Sequence, residues 1–182
     1  MSSFLSESEI AEMGFKSVGG NVLISRKASF YAAAKMSIGS NVRIDDFCIL
    51  SGTITLGNNI HIAAYSAIYG AMGVMMEDYT GLSPRCTVFS AMDDFGGDYL
   101  ISPMSKSEYT NVQGGLVTIK RYSQIGSGTT IFPNLTIGEG VAVGAMSLVC
   151  SNLDDWGIYI GVPAKYHKPR SKGLLKFVRK EE

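Results

Sequence analysis

The stretch IKRYSQIGSGTTIFPNLTIGEGVAVGAMSLV, residues 119–149, decides the fold. Its bulky aliphatics fall at Ile119, Ile125, Ile131, Ile137, Val143 and Val149, every sixth position. The same period runs upstream through Ile38, Ile44, Leu50, Leu56, Ile62, Ile68 and Val74. A period of six fits neither a helix at 3.6 nor a plain strand at 2, and it marks a parallel β-helix built from hexapeptides. Glycine follows the aliphatic at Gly39, Gly57, Gly126, Gly138 and Gly144. Small or β-branched residues recur four places on, at Val42, Cys48, Ser66, Ser123, Thr129, Val141 and Ser147. The competing reading, a β-sandwich of alternating strands, does not account for these recurrences.

Each hexapeptide supplies one short strand and one corner. Three close a triangular coil, and coils stack about 4.8 Å apart through parallel pairing. A single coil cannot bury its inward aliphatics, so stability comes from its neighbours. Two shorter ladders sit in shifted register: Ile24, Phe30 and Met36 before the first long run, and Met76, Leu82 and Val88 after it. The joints Met36 to Ile38 and Val74 to Met76 predict a small bulge or an extra corner residue at each. Together the ladders predict about six coils.

Around this all-β body the sequence predicts a single domain over 1–182: an N-terminal extension (1–20), the β-helix (21–155) and a C-terminal turn and helix (156–182). Ser6 and Glu9 form a capping-box pattern, so Ser6 to Gly14 reads as a short helix. From about 92 to 116 the six-residue period vanishes and Asp, Gly, Ser and Pro dominate. A loop of that length inside a compact domain is usually functional or disordered. The period resumes in phase at Val117, which makes the loop an excursion from one corner. After the turn Gly161-Val162-Pro163-Ala164-Lys165, Ser171 to Lys180 reads as a short basic amphipathic helix.

Composition excludes several function classes. The chain of 182 residues has 16 basic and 16 acidic side chains and zero net charge, and no polybasic run precedes the tail, so nucleic acid is not an expected partner. No apolar stretch reaches spanning length and Met1 to Glu12 is polar and acidic, so membrane insertion is not expected and a cytoplasmic location is. Three cysteines lack metal-ligand spacing, and no metal is expected. Cys48 and Cys86 occupy the small-residue position of the repeat, where packing is their role.

The chain resembles the hexapeptide-repeat acyltransferases, in particular the galactoside and maltose O-acetyltransferases and the sugar N-acetyltransferases of surface-polysaccharide pathways. The resemblance rests on Ile131-Phe132-Pro133-Asn134-Leu135-Thr136-Ile137-Gly138-Glu139-Gly140, on Val143-Gly144-Ala145-Met146-Ser147-Leu148-Val149 and on the Gly161 to Lys165 turn. It implies a left-handed β-helix, three subunits side by side, and acetyl-CoA as acyl donor in the groove between two of them. It also implies that Ser127, Gly144 and Ala145 contact the pantetheine arm through their backbone. Cys150 matches a threonine of many relatives near the cofactor, and Lys165 and Lys168 match basic residues near its phosphates, where a cationic patch suits a polyphosphate.

The chain departs from that pattern at the reacting centre. The O-acetyltransferases place a histidine that abstracts the hydroxyl proton just after the strand matching Thr87 to Ala91. Here the aligned position is Asp93, followed by Asp94. An amine acceptor needs positioning, loss of one proton and stabilisation of developing positive charge, and a carboxylate can supply these. Adjacent carboxylates also raise one another's pKa, which would make one a base. The acidic run also reads as a turn rich in its usual residues.

His61 precedes the inward Ile62; counting coils puts it on the side of Asp93, about 10 Å away at two coil spacings. Tyr65 and Tyr69 could stack on a sugar or base, and Arg85 could pair with an acceptor phosphate.

The expected function is acetyl-CoA-dependent N-acetylation of a nucleotide-linked amino sugar for lipopolysaccharide or O-antigen assembly. The alternatives are sugar O-acetylation with His61 as base and a non-catalytic β-helix scaffold. A zinc site of the γ-carbonic-anhydrase kind needs three histidines, and the chain has two.

Overall fold

A computed structural model of the protein describes residues 3–181, so Met1, Ser2 and Glu182, the ends of the predicted extension and tail, lie outside the described residues. The inward ladders stack on three faces. On the first, Ile24, Ile44, Ile62, Leu82, Ile125 and Val143 pair coil on coil in parallel register. On the second, the column is Phe30, Leu50, Ile68, Val88, Ile131 and Val149. On the third it is Ile38, Leu56, Met76, Ile119 and Ile137. The three columns form one core, with Phe30 at its edge. The result is a left-handed parallel β-helix, an exception to the right-handed crossover rule.

The small residues four places after each aliphatic fill the corners. Ser123 Oγ donates to the Gly138 carbonyl at 2.7 Å, Thr129 Oγ1 to Gly144 at 3.2 Å, and Cys86 Sγ to Gly126 at 3.2 Å. The polar members thus add a donor to a corner carbonyl, while Val42 and Val141 fill the same position by packing alone. At the corner between third and first faces, left-handed residues form a column: Asn21, Asn41 and Asn59, then Tyr79, Tyr122, Gly140 and Trp156. The asparagines hydrogen-bond one another along the axis at 2.8 and 3.1 Å.

The two register slips are absorbed elsewhere than predicted. Met36 and Ile38 point inward from one strand, as do Val74 and Met76, with no bulge between either pair. The two extra residues of coils one and three lie earlier, at the corner between second and third faces. There Ala32 (φ 67°) opens a 3-10 turn, Ala33–Lys35, and Gly73 (φ 99°) bends the long strand Ala67–Met76. The intervening coil registers this as a shift between Gly52 and Ile54.

The ends also differ from the sequence reading. Coiling starts at Ser17–Val18, which pairs with Ser37–Ile38, before residue 21. The capping box at Ser6 and Glu9 is present and the helix spans Glu7–Glu12. Past residue 155, Gly157–Ile160 continues the first face and pairs antiparallel with Lys165–Pro169, so the Gly161 to Lys165 turn is a hairpin loop. The C-terminal helix starts at Leu175, four residues later than predicted, and runs to Glu181. No helix among the described residues is long and apolar enough to cross a membrane.

Candidate active site

The excursion leaves the prism where the second face ends. Its root is not irregular: Ala91–Asp93 pairs antiparallel with Val112–Gly114. Ser90 anchors this ribbon. Its buried hydroxyl donates to the Tyr69 carbonyl at 3.0 Å and accepts from Met72 N–H at 2.8 Å, while its own carbonyl accepts from Gly115 N–H at 2.9 Å. A Cβ on Gly114 would collide with that carbonyl, so the returning strand needs glycine there. Beside the ribbon lies a cavity of about 390 Å³ lined by Met92, Asp93, Gln113, Gly114, Pro133 and Asn134.

The two aspartates have different surroundings. The Asp93 carboxylate is half-buried against this cavity, with no hydrogen-bond or ionic partner among the described residues. The Asp94 carboxylate is occupied, accepting from Gly96 N–H at 2.7 Å and from Asn111 Nδ2 at 2.8 Å. The Gly96 N–H first, and then Asn111, hold the Asp94 carboxyl below its ordinary pKa. The expectation that the pair would raise a pKa to make a base is therefore not met at Asp94, where the two donors outweigh desolvation.

His61 projects outward from the first face, between Arg43 and Gly81 of the adjacent coils. Its Nε2 lies 2.7 Å from Asp45 Oδ2, and Arg43 Nε donates to the other Asp45 oxygen at 2.7 Å. Burial raises the Asp45 pKa, and the bonds from His61 and Arg43 more than offset it. Asp93 belongs to the ribbon beyond the second face, so within one chain His61 and Asp93 do not share a side. The count by sixes failed because the interval from His61 spans one coil and two further faces, not nearly two coils.

The remaining candidates divide into two groups. Tyr65 and Arg85 sit in left-handed conformation on the corner between first and second faces, at φ 63° each. Gly126–Thr129 and Gly144–Ser147 turn the same corner lower down, so Ser127, Gly144 and Ala145 fall in line below Arg85. The Tyr65 ring stacks on Phe47 at 4.9 Å and 22°, and both are exposed. The second group lies across the second face. Tyr69 stacks on Phe89 at 5.3 Å, and Cys150 is exposed just past the end of that face, near where the ribbon leaves. Lys165 and Lys168 are exposed on the last hairpin, opposite Ile160 and Ile158. Among the described residues no three His, Cys, Asp or Glu side chains group as metal ligands.

The chain matches no family model. It is 44% identical over 176 residues, 95% of its length and 92% of the relative's, to dTDP-4-amino-4,6-dideoxy-D-glucose acyltransferase of Escherichia coli. The chain belongs to the hexapeptide-repeat acyltransferases. Within that family it superimposes with TM-score 0.97 and 50% identity on AntD, an N-acyltransferase from Bacillus cereus solved with dTDP and coenzyme A, over 99% of this chain and 98% of that one. AntD has also been solved with dTDP and 3-hydroxybutyryl-CoA. The fold alone is shared with the polysialic-acid-specific acetyltransferase NeuO, at 13% identity and TM-score 0.65. As a member of this family the protein is an acyltransferase that takes its acyl group from a coenzyme A thioester.

The AntD structures include variants of a serine and of an aspartate ten positions further on. In the present chain Ser83 and Asp93 are the one serine–aspartate pair with that spacing. The sequence reading did not single out Ser83. It follows the inward Leu82 as a half-buried corner residue whose carbonyl accepts from Ser66 Oγ at 3.1 Å. No local motif distinguishes it from the other corner serines.

Proposed function

We propose that the protein transfers an acetyl group from acetyl-CoA to the amine of a nucleotide-linked 4-amino-4,6-dideoxyhexose. The observation that carries this reading is the presence of Ser83 and Asp93 at the spacing varied in AntD, with the Asp93 carboxylate at a cavity and without a partner among the described residues. The amine nitrogen attacks the thioester carbonyl, the carbon–sulfur bond breaks, and the coenzyme leaves as thiolate. The nitrogen must shed a proton as its positive charge develops, and Asp93 is placed to stabilise that charge and accept the proton.

The acceptor and donor lie along one corner: the nucleotide beside Tyr65, with its diphosphate at Arg85, and the pantetheine arm beside Ser127, Gly144 and Ala145. Lys165 and Lys168 face the coenzyme phosphates. Asp93, Tyr69 and Cys150 reach this corner from a neighbouring copy, which calls for the homotrimer. The protein works in the cytoplasm, supplying acylated sugar for surface polysaccharide.

The test is thiol release from acetyl-CoA with dTDP-4-amino-4,6-dideoxyglucose and, as hydroxyl control, a thiogalactoside. Turnover with the amine alone is expected. Turnover of the galactoside would overturn N-acylation.

A further inference from the structure

The root of the excursion is a ribbon of only three residue pairs, and Asp93, opposite Val112, is the outermost. An isolated two-stranded ribbon is marginal in water. Its outer rung frays first unless something closes it. Immediately beyond that rung, Asp94 N–H donates to the Asn111 carbonyl at 3.0 Å, Asn111 Nδ2 donates to Asp94 Oδ2 at 2.8 Å, and Gly96 N–H donates to Asp94 Oδ1 at 2.7 Å. Both strands and the first residues of the loop thus meet on one side chain. Gly96 suits its place, since a Cβ there would come within 2.9 Å of Asp94 Oδ1. From there the chain is largely exposed, through Phe95 and Met104 to Tyr109.

We propose that Asp94 and Asn111 are positioning residues, a latch that closes the ribbon and holds the Asp93 carboxylate against the acceptor amine. The role given to Asp93 rests on the acylation reading above; the latch itself does not. Both Asp94 oxygens are taken by donors, so the side chain has a structural task and Asp93 is left as the carboxylate available to substrate. A frayed outer rung would move Asp93 by an ångström or more, a displacement that costs up to about a hundredfold in rate.

The arrangement can be inverted without losing its bonds. In Asp94→Asn the charge-assisted character of the bonds is lost, and a bond to residue 111 survives only if the Asn111 amide turns over. In Asn111→Asp two carboxylates meet. In the double variant Asp94→Asn/Asn111→Asp, Oδ1 of residue 94 still accepts from Gly96 and its Nδ2 donates to the carboxylate at 111.

The experiment compares these three proteins with the native chain in two readouts: exchange protection of the Asp94 and Gly96 amides, and kcat/KM for dTDP-4-amino-4,6-dideoxyglucose against pH. Each single change is expected to lose the protection and at least about tenfold in kcat/KM. The double variant should regain both, and the shape of the profile should be unchanged in Asp94→Asn because Asp93, the proton acceptor of the acylation reading, is retained. Native-like protection in the single variants would overturn the latch. So would an acidic limb that vanishes in Asp94→Asn with no rescue by the double variant, since Asp94 would then be the proton acceptor. If the native protein turns over no amino sugar, the acylation reading fails, while amide exchange still decides the latch.

Discussion

Ser83 and Asp93 leave the prism at different corners, one just past the first face and the other just past the second, with the strand Thr87–Phe89 between them. In the proposed trimer one acceptor touches both, each from a different copy of the chain. Ser83→Ala and Asp93→Asn are therefore expected to be individually impaired and to complement when refolded together. In a ring of randomly mixed chains about one site in four pairs an intact Ser83 with an intact Asp93. Recovery of about a quarter of native activity is expected, and no recovery would place the site within one chain.

The environments of Asp93 and His61 point to opposite outcomes for their removal. Asp93→Asn should lower kcat by about a hundredfold or more, the usual cost of losing a proton acceptor. His61→Ala should leave kcat/KM within about threefold, because its ring is turned to Asp45 on another face. A loss in His61→Ala above about a hundredfold, with hydroxyl acceptors turned over, would restore the O-acetylation mechanism.

The inward columns were legible because one physical demand, burial on stacked coils, repeats at fixed spacing. Ile44 reports the environment of Ile62, and Ile62 that of Leu82. The corner insertions were not legible in the same way. Two extra residues after Ile68 shift every later residue, and the sequence does not say whether the strand or the corner absorbs them; glycine at Gly73 was the available hint. The ribbon at Ala91–Asp93 was missed because its partner, Val112–Gly114, lies beyond an aperiodic loop. Asp93 and Asp94 look equivalent in sequence. They are separated by a contact to Asn111, seventeen residues away, which no local pattern encodes.

Arg85 has no side-chain partner among the described residues, and Tyr65 is 57% exposed on the same corner. A diphosphate at Arg85 would gain charge-assisted hydrogen bonds, so Arg85→Ala should raise KM for the nucleotide sugar about tenfold or more. Tyr65→Ala should raise it by roughly twofold to tenfold through lost stacking. KM for acetyl-CoA should stay unchanged in both. A rise confined to acetyl-CoA would assign the corner to the donor instead.

The N-terminal helix carries a pH dependence whose sign follows from Glu9. Hydrogen bonds from Arg26 first, then from the Ser6 backbone, lower its pKa from 4.5 to about 2. A folded-state value below the unfolded one means the stabilisation is complete above 4.5 and is lost as pH falls toward 2. The docking of Glu7–Glu12 should thus survive at pH 4.5 and loosen near pH 2, read as amide exchange in that helix. Glu9→Gln should abolish the dependence.

The three cysteines differ in reach and in chemistry. Cys48 and Cys86 are buried, each with its sulfur directed at backbone carbonyls, and burial pushes the Cys86 thiol up to about 11. Burial raises the Cys48 pKa as well. The thiolate is the nucleophile toward iodoacetamide, so neither should react in the native protein at about pH 8. Cys150 is exposed and should be the single thiol modified. It lies across the second face from Ser127 and Ala145, so a coenzyme bound on that corner covers it only when a second copy brings its own second face alongside. Coenzyme A should therefore slow alkylation of Cys150 in the assembled protein, and mass mapping of the modified peptide would show it. An unaltered rate at saturating coenzyme would remove Cys150 from the donor site, and modification of Cys86 would mean that the corner opens.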